Sequence, residues 1–346
     1  MPPSPRRSPP NGCTQSARTG MLIRPAVVRR WSMEGRKVLV TGGAGFLGSH
    51  LVERLSARNE VTVLDNLSTG SIRNLAGSHH EVRVHRASVL QTKALEDALK
   101  GHDLVYHLAA RISAAESVEN PDEYWRTNVE GTLNVLKAAV DAGVGRVVFA
   151  SSAAVYGNTE ANPKVESMRP APASPYATTK MVGEFACQEI SQLKGIETVV
   201  LRIFNAYGPR QDVSSPYASV IARFCDAIAR ETPIEIHGDG EQTRDFLYVA
   251  DVAEALELAG ERPVAGQTLN IGSGSAVSVN EVARSLSEVT VTPIKAVRKE
   301  PRVGDVRHSR ADIEAALGRL GFTPRTSLRE GLERTLAYFR TLPRSA

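Results

Sequence analysis

The chain has 346 residues, 42% of them apolar, enough to bury the core of one two-lobed enzyme or two modest domains. No uninterrupted apolar run approaches the roughly 20 residues that cross a bilayer, so a membrane span is excluded; runs such as Lys37–Thr41 and Gly145–Ala150 have the length of a buried strand. The pI near 9 invites a nucleic-acid reading, but residues 1–33 hold six arginines and no acid, and taking that six from the net +4 leaves the body at about −2, which is no polyanion-binding surface.

The basic leader carries six prolines and no hydrophobic periodicity, and is expected to be disordered. Its acid-free, Arg- and Ser-containing composition suits an organelle transit leader, although the prolines interrupt any amphipathic helix. The other reading is a dispensable extension ahead of a domain that opens at Met33. Cys13, Cys187 and Cys225 are odd in number, widely spaced and without a Cys or His at ligand spacing. They argue against a disulfide framework or a structural zinc and for a reducing, cytoplasmic setting.

From Lys37 onward, short β-branched runs alternate with longer segments of helical period. The pattern predicts strands at Lys37–Thr41, Glu60–Leu64, Val82–His85, Leu104–His107, Arg146–Ser151 and Thr198–Ile203, with helices at Phe46–Ala57, Thr92–Leu99, Pro121–Ala142 and Pro175–Leu193 between them. This order is that of an α/β protein with a doubly wound, Rossmann-type parallel sheet. After Phe204 proline and glycine become denser and a smaller α/β lobe begins. The stretch 246–259 followed by 268–271 reads helix then strand, a return to the first lobe. The expected division is a disordered extension over 1–34, a nucleotide-binding domain over 35–204 with a return near 246–273, and a substrate lobe over 205–245 and 274–346. Ser278-Val-Asn-Glu281 and Ser327-Leu-Arg-Glu330 have the form of capping boxes that open the last helices.

Gly42-Gly-Ala-Gly45-Phe-Leu-Gly48 follows the first strand and opens a helix. In that context Gly42 and Gly45 permit a tight turn and close approach of a pyrophosphate to helix N-terminal N–H groups, and Gly48 lets helix and strand pack closely. Twenty residues after Gly45, Asp65 ends the second strand, where a carboxylate accepts from ribose hydroxyls and repels a 2′-phosphate. NAD is favoured over NADP.

Tyr176-Ala-Thr-Thr-Lys180 sets a phenol and an ammonium four residues apart, on one face of a helix. The cation, together with a positive nicotinamide, favours phenolate and would bring the tyrosine toward use as a base for a substrate hydroxyl. Upstream, Ser151-Ser152 ends a strand at the sheet edge where ligands of open α/β folds sit.

With these motifs in this order, residues 37 to 339 resemble the extended short-chain dehydrogenase/reductases and, within them, the UDP-glucose 4-epimerase group of NAD-dependent epimerases and dehydratases. The resemblance implies Tyr176 as the base, Lys180 as its partner and Ser152 as the catalytic hydroxyl. It implies cofactor contacts at Gly42, Gly45, Phe46, Leu47, Gly48, Asp65, Asn66, Ala109, Asn128, Tyr176 and Lys180. Where the family has Gly-Asp after the third strand to hold adenine, this chain has Ala87-Ser88, so Ser88 is expected to hold it more weakly.

For the substrate, the resemblance implies Ser152, Tyr176, Asn205 beside a phosphate, Arg244 and Arg302 on the diphosphate, and Asp305 of the motif Arg302-Val-Gly304-Asp305. Guanidinium forks suit phosphate oxygens. The residue four positions after that aspartate lines the pocket beside the sugar's C2 substituent in the family. Here it is Ser309, small enough to admit an acetamido group. The two long helix candidates resemble those the family pairs into an intermolecular four-helix bundle, which implies a homodimer.

Dehydratases and decarboxylases of this scaffold carry an acidic residue beside the catalytic hydroxyl, where this chain has Ala153 and Ala154. The expectation is therefore 4-epimerisation of UDP-hexoses, plain and N-acetylated. The alternatives are another NAD-dependent nucleotide-sugar enzyme, whether dehydratase, decarboxylase or dehydrogenase, or a non-catalytic NAD-binding scaffold.

Overall fold

The computed structural model describes residue 1 and residues 34–213, 218–291, 293–301 and 306–343. The expectations for the basic leader, Cys13, Arg302 and Asp305 lie outside the described residues. In chain order the strands are β1 (Lys37–Thr41), β2 (Glu60–Asp65), β3 (Arg83–Arg86), β4 (Leu104–His107), β5 (Arg146–Ser152), β6 (Glu197–Ile203), β7 (Asn205–Tyr207), β8 (Ile234–His237), β9 (Thr243–Arg244), β10 (Phe246–Tyr248), β11 (Thr268–Ile271), β12 (Val277–Ser278), β13 (Ala296–Lys299) and β14 (His308–Ser309). The helices are α1 (Phe46–Ser56), α2 (Thr92–Leu99), α3 (Ala114–Glu119), α4 (Pro121–Trp125), α5 (Gly131–Asp141), α6 (Pro175–Lys194), α7 (Val220–Ala229), α8 (Val249–Glu261), α9 (Val279–Thr290) and α10 (Leu328–Thr341).

Seven parallel strands form the central sheet in the order β11-β6-β5-β4-β1-β2-β3. Strand alternation divides the core between its two faces. Val38 and Val40 of β1 join Leu51 and Leu55 of α1 and Val252 and Leu256 of α8 on one side. Leu39 between them joins Leu95 of α2, Val135 and Leu136 of α5 and Cys187 of α6 on the other. A third cluster, with Phe224 of α7, Leu286 of α9 and Leu336 and Phe339 of α10, fills the smaller lobe. Strand order reverses between β1 and β4, which opens a crevice at the carboxyl ends of those strands.

Local sequence explains the elements that flank this crevice. α6 begins where the Ser174 hydroxyl accepts from the Ala177 N–H at 3.2 Å, has Pro175 in its first turn and stops at Gly195 in the left-handed conformation. α9 opens with the full capping box of Ser278 and Glu281, and Ser327 caps α10 by accepting from the Glu330 N–H at 3.3 Å.

Two expectations are corrected. The stretch 246–259 is not helical throughout: Phe246–Tyr248 form β10, paired in parallel with β7, and α8 starts at Val249. Three buried side chains, two of them aromatic, favour a strand there. The helix foreseen over 121–142 is interrupted at Arg126–Glu130 by a π turn, which turns Asn128 toward the crevice wall.

Candidate active site

The glycine loop lies at the head of the reversal point. Gly42 has φ +71°, and a Cβ there would come within 2.7 Å of the Ala109 nitrogen, so only glycine lets the loop after β1 rest on the loop after β4. A Cβ on Gly48 would meet the Gly42 carbonyl oxygen at 2.1 Å. At Gly45 it would meet only that oxygen, at 3.3 Å, so this side of the loop is open. Gly45 is also the N-cap of α1 and brings no side-chain cap to the helix, which leaves the first-turn N–H groups of Phe46 and Leu47 for an anion.

Asp65 closes the same corner from the end of β2. One carboxylate oxygen accepts from the Ala44 N–H at 3.0 Å and the other from the Leu67 N–H at 2.8 Å. Further lone pairs remain for a diol. These residues fit a dinucleotide. Asn66 is exposed and accepts from the Ser68 N–H through its side chain. The Ser88 hydroxyl accepts from the Leu90 N–H at 3.2 Å, so it closes a local turn beyond β3.

At the other side of the crevice, β5 delivers Ser152 and α6 delivers Tyr176 and Lys180. Ser152 ends β5 and caps a short turn over Ala153–Tyr156 by accepting from the Ala154 N–H at 3.2 Å. Burial raises the Tyr176 phenol above its usual value, and a hydrogen bond with Ser152 pulls it back. The expectation that Lys180 favours the phenolate joins it with a positive nicotinamide and so concerns the enzyme with its cofactor. The Lys180 ammonium donates to the Ala150 carbonyl at 2.9 Å and sits 5.1 Å over the Phe149 ring. Burial lowers Lys180 to about 8, opposed by Cys187 and Glu184. Burial pushes the Cys187 thiol up to about 12.

Asn128 is buried in the π turn. Its amide accepts from the Arg111 N–H at 2.8 Å and donates to the Arg111 carbonyl at 2.9 Å and to Thr179 Oγ1 at 3.0 Å. The Thr179 hydroxyl in turn donates to the Tyr176 carbonyl at 2.7 Å. Asn128 therefore ties the loop after β4 to the turn of α6 that bears Tyr176.

In the smaller lobe, Asn205 donates from its amide to the Asp245 carbonyl at 3.1 Å, next to β10. Arg244 and Ser309 are register partners in the parallel pair of β9 and β14, so these two expected substrate residues are neighbours. Arg244 donates to the Thr243 carbonyl at 2.8 Å.

Three features were missed from sequence. Glu184 accepts from Ser151 and, at 2.7 to 3.2 Å, from Arg202, a buried ion pair under the end of β5; its spacing of four from Lys180 was a usable signal. Asp245 accepts from the Ser273, Gly274 and Ala311 N–H groups at 2.6 to 3.0 Å and links the end of β11 to the segment after Ser309. His107, fully buried beside Lys180, looked like an ordinary strand residue.

A glycine loop and acidic strand end at a sheet reversal, facing a Ser, Tyr and Lys set, define the class of NAD-binding short-chain dehydrogenase/reductase-like enzymes. Residues 38–272 match the profile described as the NAD dependent epimerase/dehydratase family, and the chain belongs to that family. The chain is 37% identical over 312 residues to the UDP-glucose 4-epimerase of Mycolicibacterium smegmatis, with 88% of this chain and 98% of that protein covered. It is 33% identical over 319 residues to the UDP-N-acetyl-alpha-D-glucosaminuronate decarboxylase of Bacillus cytotoxicus, covering 89% and 98% of the two chains. Among solved structures, the UDP-N-acetylglucosamine 4-epimerase of Methanobrevibacter ruminantium, in complex with UDP-N-acetylmuramic acid, superposes with a TM-score of 0.85 at 38% identity, covering 88% of this chain and 98% of that one. The protein is thus an NAD-dependent enzyme of the nucleotide-sugar epimerase, decarboxylase and dehydratase family. Among the described residues no helix is long and apolar enough to cross a membrane, and no cluster of metal-ligating side chains occurs.

Proposed function

We propose that this enzyme is a 4-epimerase of UDP-hexoses that works through a 4-keto sugar. The observation that carries the reading is the turn capped by Ser152. Ala153 and Ala154 follow the hydroxyl and offer only methyl groups, where elimination of water needs a second acid or base and where the resemblance gives dehydratases and decarboxylases an acidic residue.

Gly42, Gly45, Phe46, Leu47, Gly48 and Asp65 hold NAD in this reading, with Asn66, Ser88, Ala109 and Asn128 completing its site. Bound NAD supplies a hydride acceptor able to return what it takes. The chain's own part is the proton. Tyr176 takes it from the sugar's 4-hydroxyl and gives it back, Ser152 aligns that hydroxyl and the phenol, and the Lys180 ammonium favours the phenolate. Asn205 and Arg244 contact the diphosphate in this reading, and Arg302, outside the described residues, is the second arginine the resemblance implies there, with Asp305 of the same motif a further substrate contact. The nucleotide domain over 35–204 with its return at 246–273 carries the first set, and the lobe over 205–245 and 274–346 carries the second.

The test is incubation of the purified enzyme with UDP-galactose and no added NAD. The C4 epimer is expected, and Tyr176→Phe is expected to lower turnover by roughly 10²–10⁴-fold while keeping fold and bound NAD. Accumulation of NADH, or release of carbon dioxide from a UDP-uronic acid in place of epimer, would replace the proposal with a dehydrogenase or decarboxylase.

A further inference from the structure

His107 ends β4 between two hydroxyls. Its Nδ1 is 2.8 Å from Thr41 Oγ1, at the end of β1, and its Nε2 is 2.9 Å from Thr132 Oγ1, on α5. The Thr132 hydroxyl donates to the Asn128 carbonyl at 2.5 Å, and Thr41 Oγ1 accepts from the Ala109 N–H at 3.3 Å. These bonds have one consistent direction. With the hydrogen of Thr132 lying between two oxygens 2.5 Å apart, Thr132 can only accept from the ring, so Nε2 carries the imidazole proton. Nδ1 then accepts from the Thr41 hydroxyl, whose oxygen takes the Ala109 N–H. The opposite tautomer would need the Thr132 hydrogen for Nε2, leaving the short oxygen pair without one. A doubly protonated ring would strip the Thr41 hydroxyl of its acceptor.

From these observations we propose that His107 is a positioning residue. As a neutral, Nε2-protonated imidazole it locks the Ala109 loop to the π turn of Asn128, and by staying uncharged it keeps a second cation away from Lys180. The surroundings suit this. β1 contributes Thr41, α5 contributes Thr132, β5 contributes the Phe149 ring, 5.6 Å away, and α6 contributes Lys180, the charged group acting on the ring. Burial first and Lys180 second hold the imidazole down to about 3. The chain Ala109, Thr41, His107, Thr132, Asn128, Thr179, Tyr176 is continuous from the rim of the glycine loop to the tyrosine's own helix turn. Its catalytic consequence rests on Tyr176 and Lys180 forming the acid–base pair; the tautomer does not.

The experiment has two arms. Long-range proton–nitrogen NMR of the full chain with ¹⁵N-histidine, one of eight histidines being assigned by its loss in His107→Phe, reads the tautomer from about pH 5 to 8. A ring that stays neutral with its proton on Nε2 is expected, and titration near the ordinary value of about 6.5 or a proton on Nδ1 overturns the proposal. In the second arm Thr132→Val, which removes one link and keeps the volume, and His107→Phe are expected to lower kcat by roughly ten- to a hundredfold, the penalty for a displacement of about an ångström. KM for UDP-galactose should stay within about twofold, because the substrate's own contacts are untouched. If His107→Phe does not fold, Thr132→Val carries the arm alone. Wild-type kcat in Thr132→Val overturns the positioning role even with the tautomer found, whereas an active Tyr176→Phe would sink the acid–base reading and leave the tautomer standing.

Discussion

The reading of Ser309 as the residue beside the sugar's C2 substituent makes substrate range depend on a single side chain. It stands beside Arg244 in the parallel register of β9 and β14, at the wall that the proposed UDP-sugar would face. A close-packed pocket does not absorb an acetamido group unless space is made beforehand. The native enzyme is therefore expected to turn over UDP-N-acetylglucosamine as well as UDP-glucose, and Ser309→Tyr to lower kcat/KM for the acetylated sugar selectively. An unchanged ratio between the two sugars in that variant would remove Ser309 from this role. Two histidines make a prediction about acid at the same scale. Burial lowers His50 to about 4 and His107 to about 3. Unfolded, both rings protonate near about 6.5. Between those values the unfolded chain binds more protons than the folded one, so their contribution to stability is whole above about 6.5 and is lost as the pH falls toward 3. Urea midpoints measured across this range should fall less steeply toward acid for His50→Gln than for the native protein.

At the scale of elements, the end of β5 is held by a buried salt bridge. Arg202 on β6 donates from Nη2 to Glu184 on α6 at 2.7 Å, the guanidinium stacks 4.8 Å over the Tyr156 ring, and Ser151 donates to the same carboxylate. Neither charged side chain reaches solvent to any extent that could compensate its loss. Glu184→Ala should cost about 3–5 kcal/mol, since it leaves a buried guanidinium unpaired, while the apolar pair Glu184→Leu with Arg202→Met should cost less than either single change. Denaturant unfolding of Glu184→Ala, the two single apolar changes and the double variant tests this. A smaller loss in Glu184→Ala than in the double variant would mean that the pair does not hold β6 to α6. The π turn belongs here too. Its extra residue sets Asn128 to clasp both backbone groups of Arg111, which a regular helix from Pro121 would have aimed elsewhere.

For the whole molecule, α4, α5 and α6 leave an apolar face in water. Trp125, Leu133, Phe185 and Leu193 are each exposed over half or more of their surface. Such a face on the two long helical segments is the one that the homodimer implied by the resemblance would bury. Solution scattering at micromolar concentration should give twice the chain mass, and Phe185→Glu should halve it without changing the circular dichroism. A monomer mass for the native chain would exclude this assembly.

Much of this architecture was legible in one dimension because it depends on local rules. Short β-branched runs located the central strands to within a residue or so at each end, glycine spacing marked the dinucleotide loop, and the gap of four between Tyr176 and Lys180 placed them on one face of α6. Serine caps announced α9 and α10 for the same reason. What depends on distant segments meeting was not legible. The strand at Phe246–Tyr248 exists because β7 lies beside it, Arg244 and Ser309 are neighbours only through a register set 65 residues apart by His308 and Thr243, and Lys180 turns to a backbone carbonyl of β5 and so leaves the phenol's raised pKa to burial. The proton position on His107 is the clearest case. Nothing in Leu104–His107 distinguishes that histidine from any other buried strand residue, and only the convergence of β1, β4 and α5 on its ring decides which nitrogen carries the hydrogen.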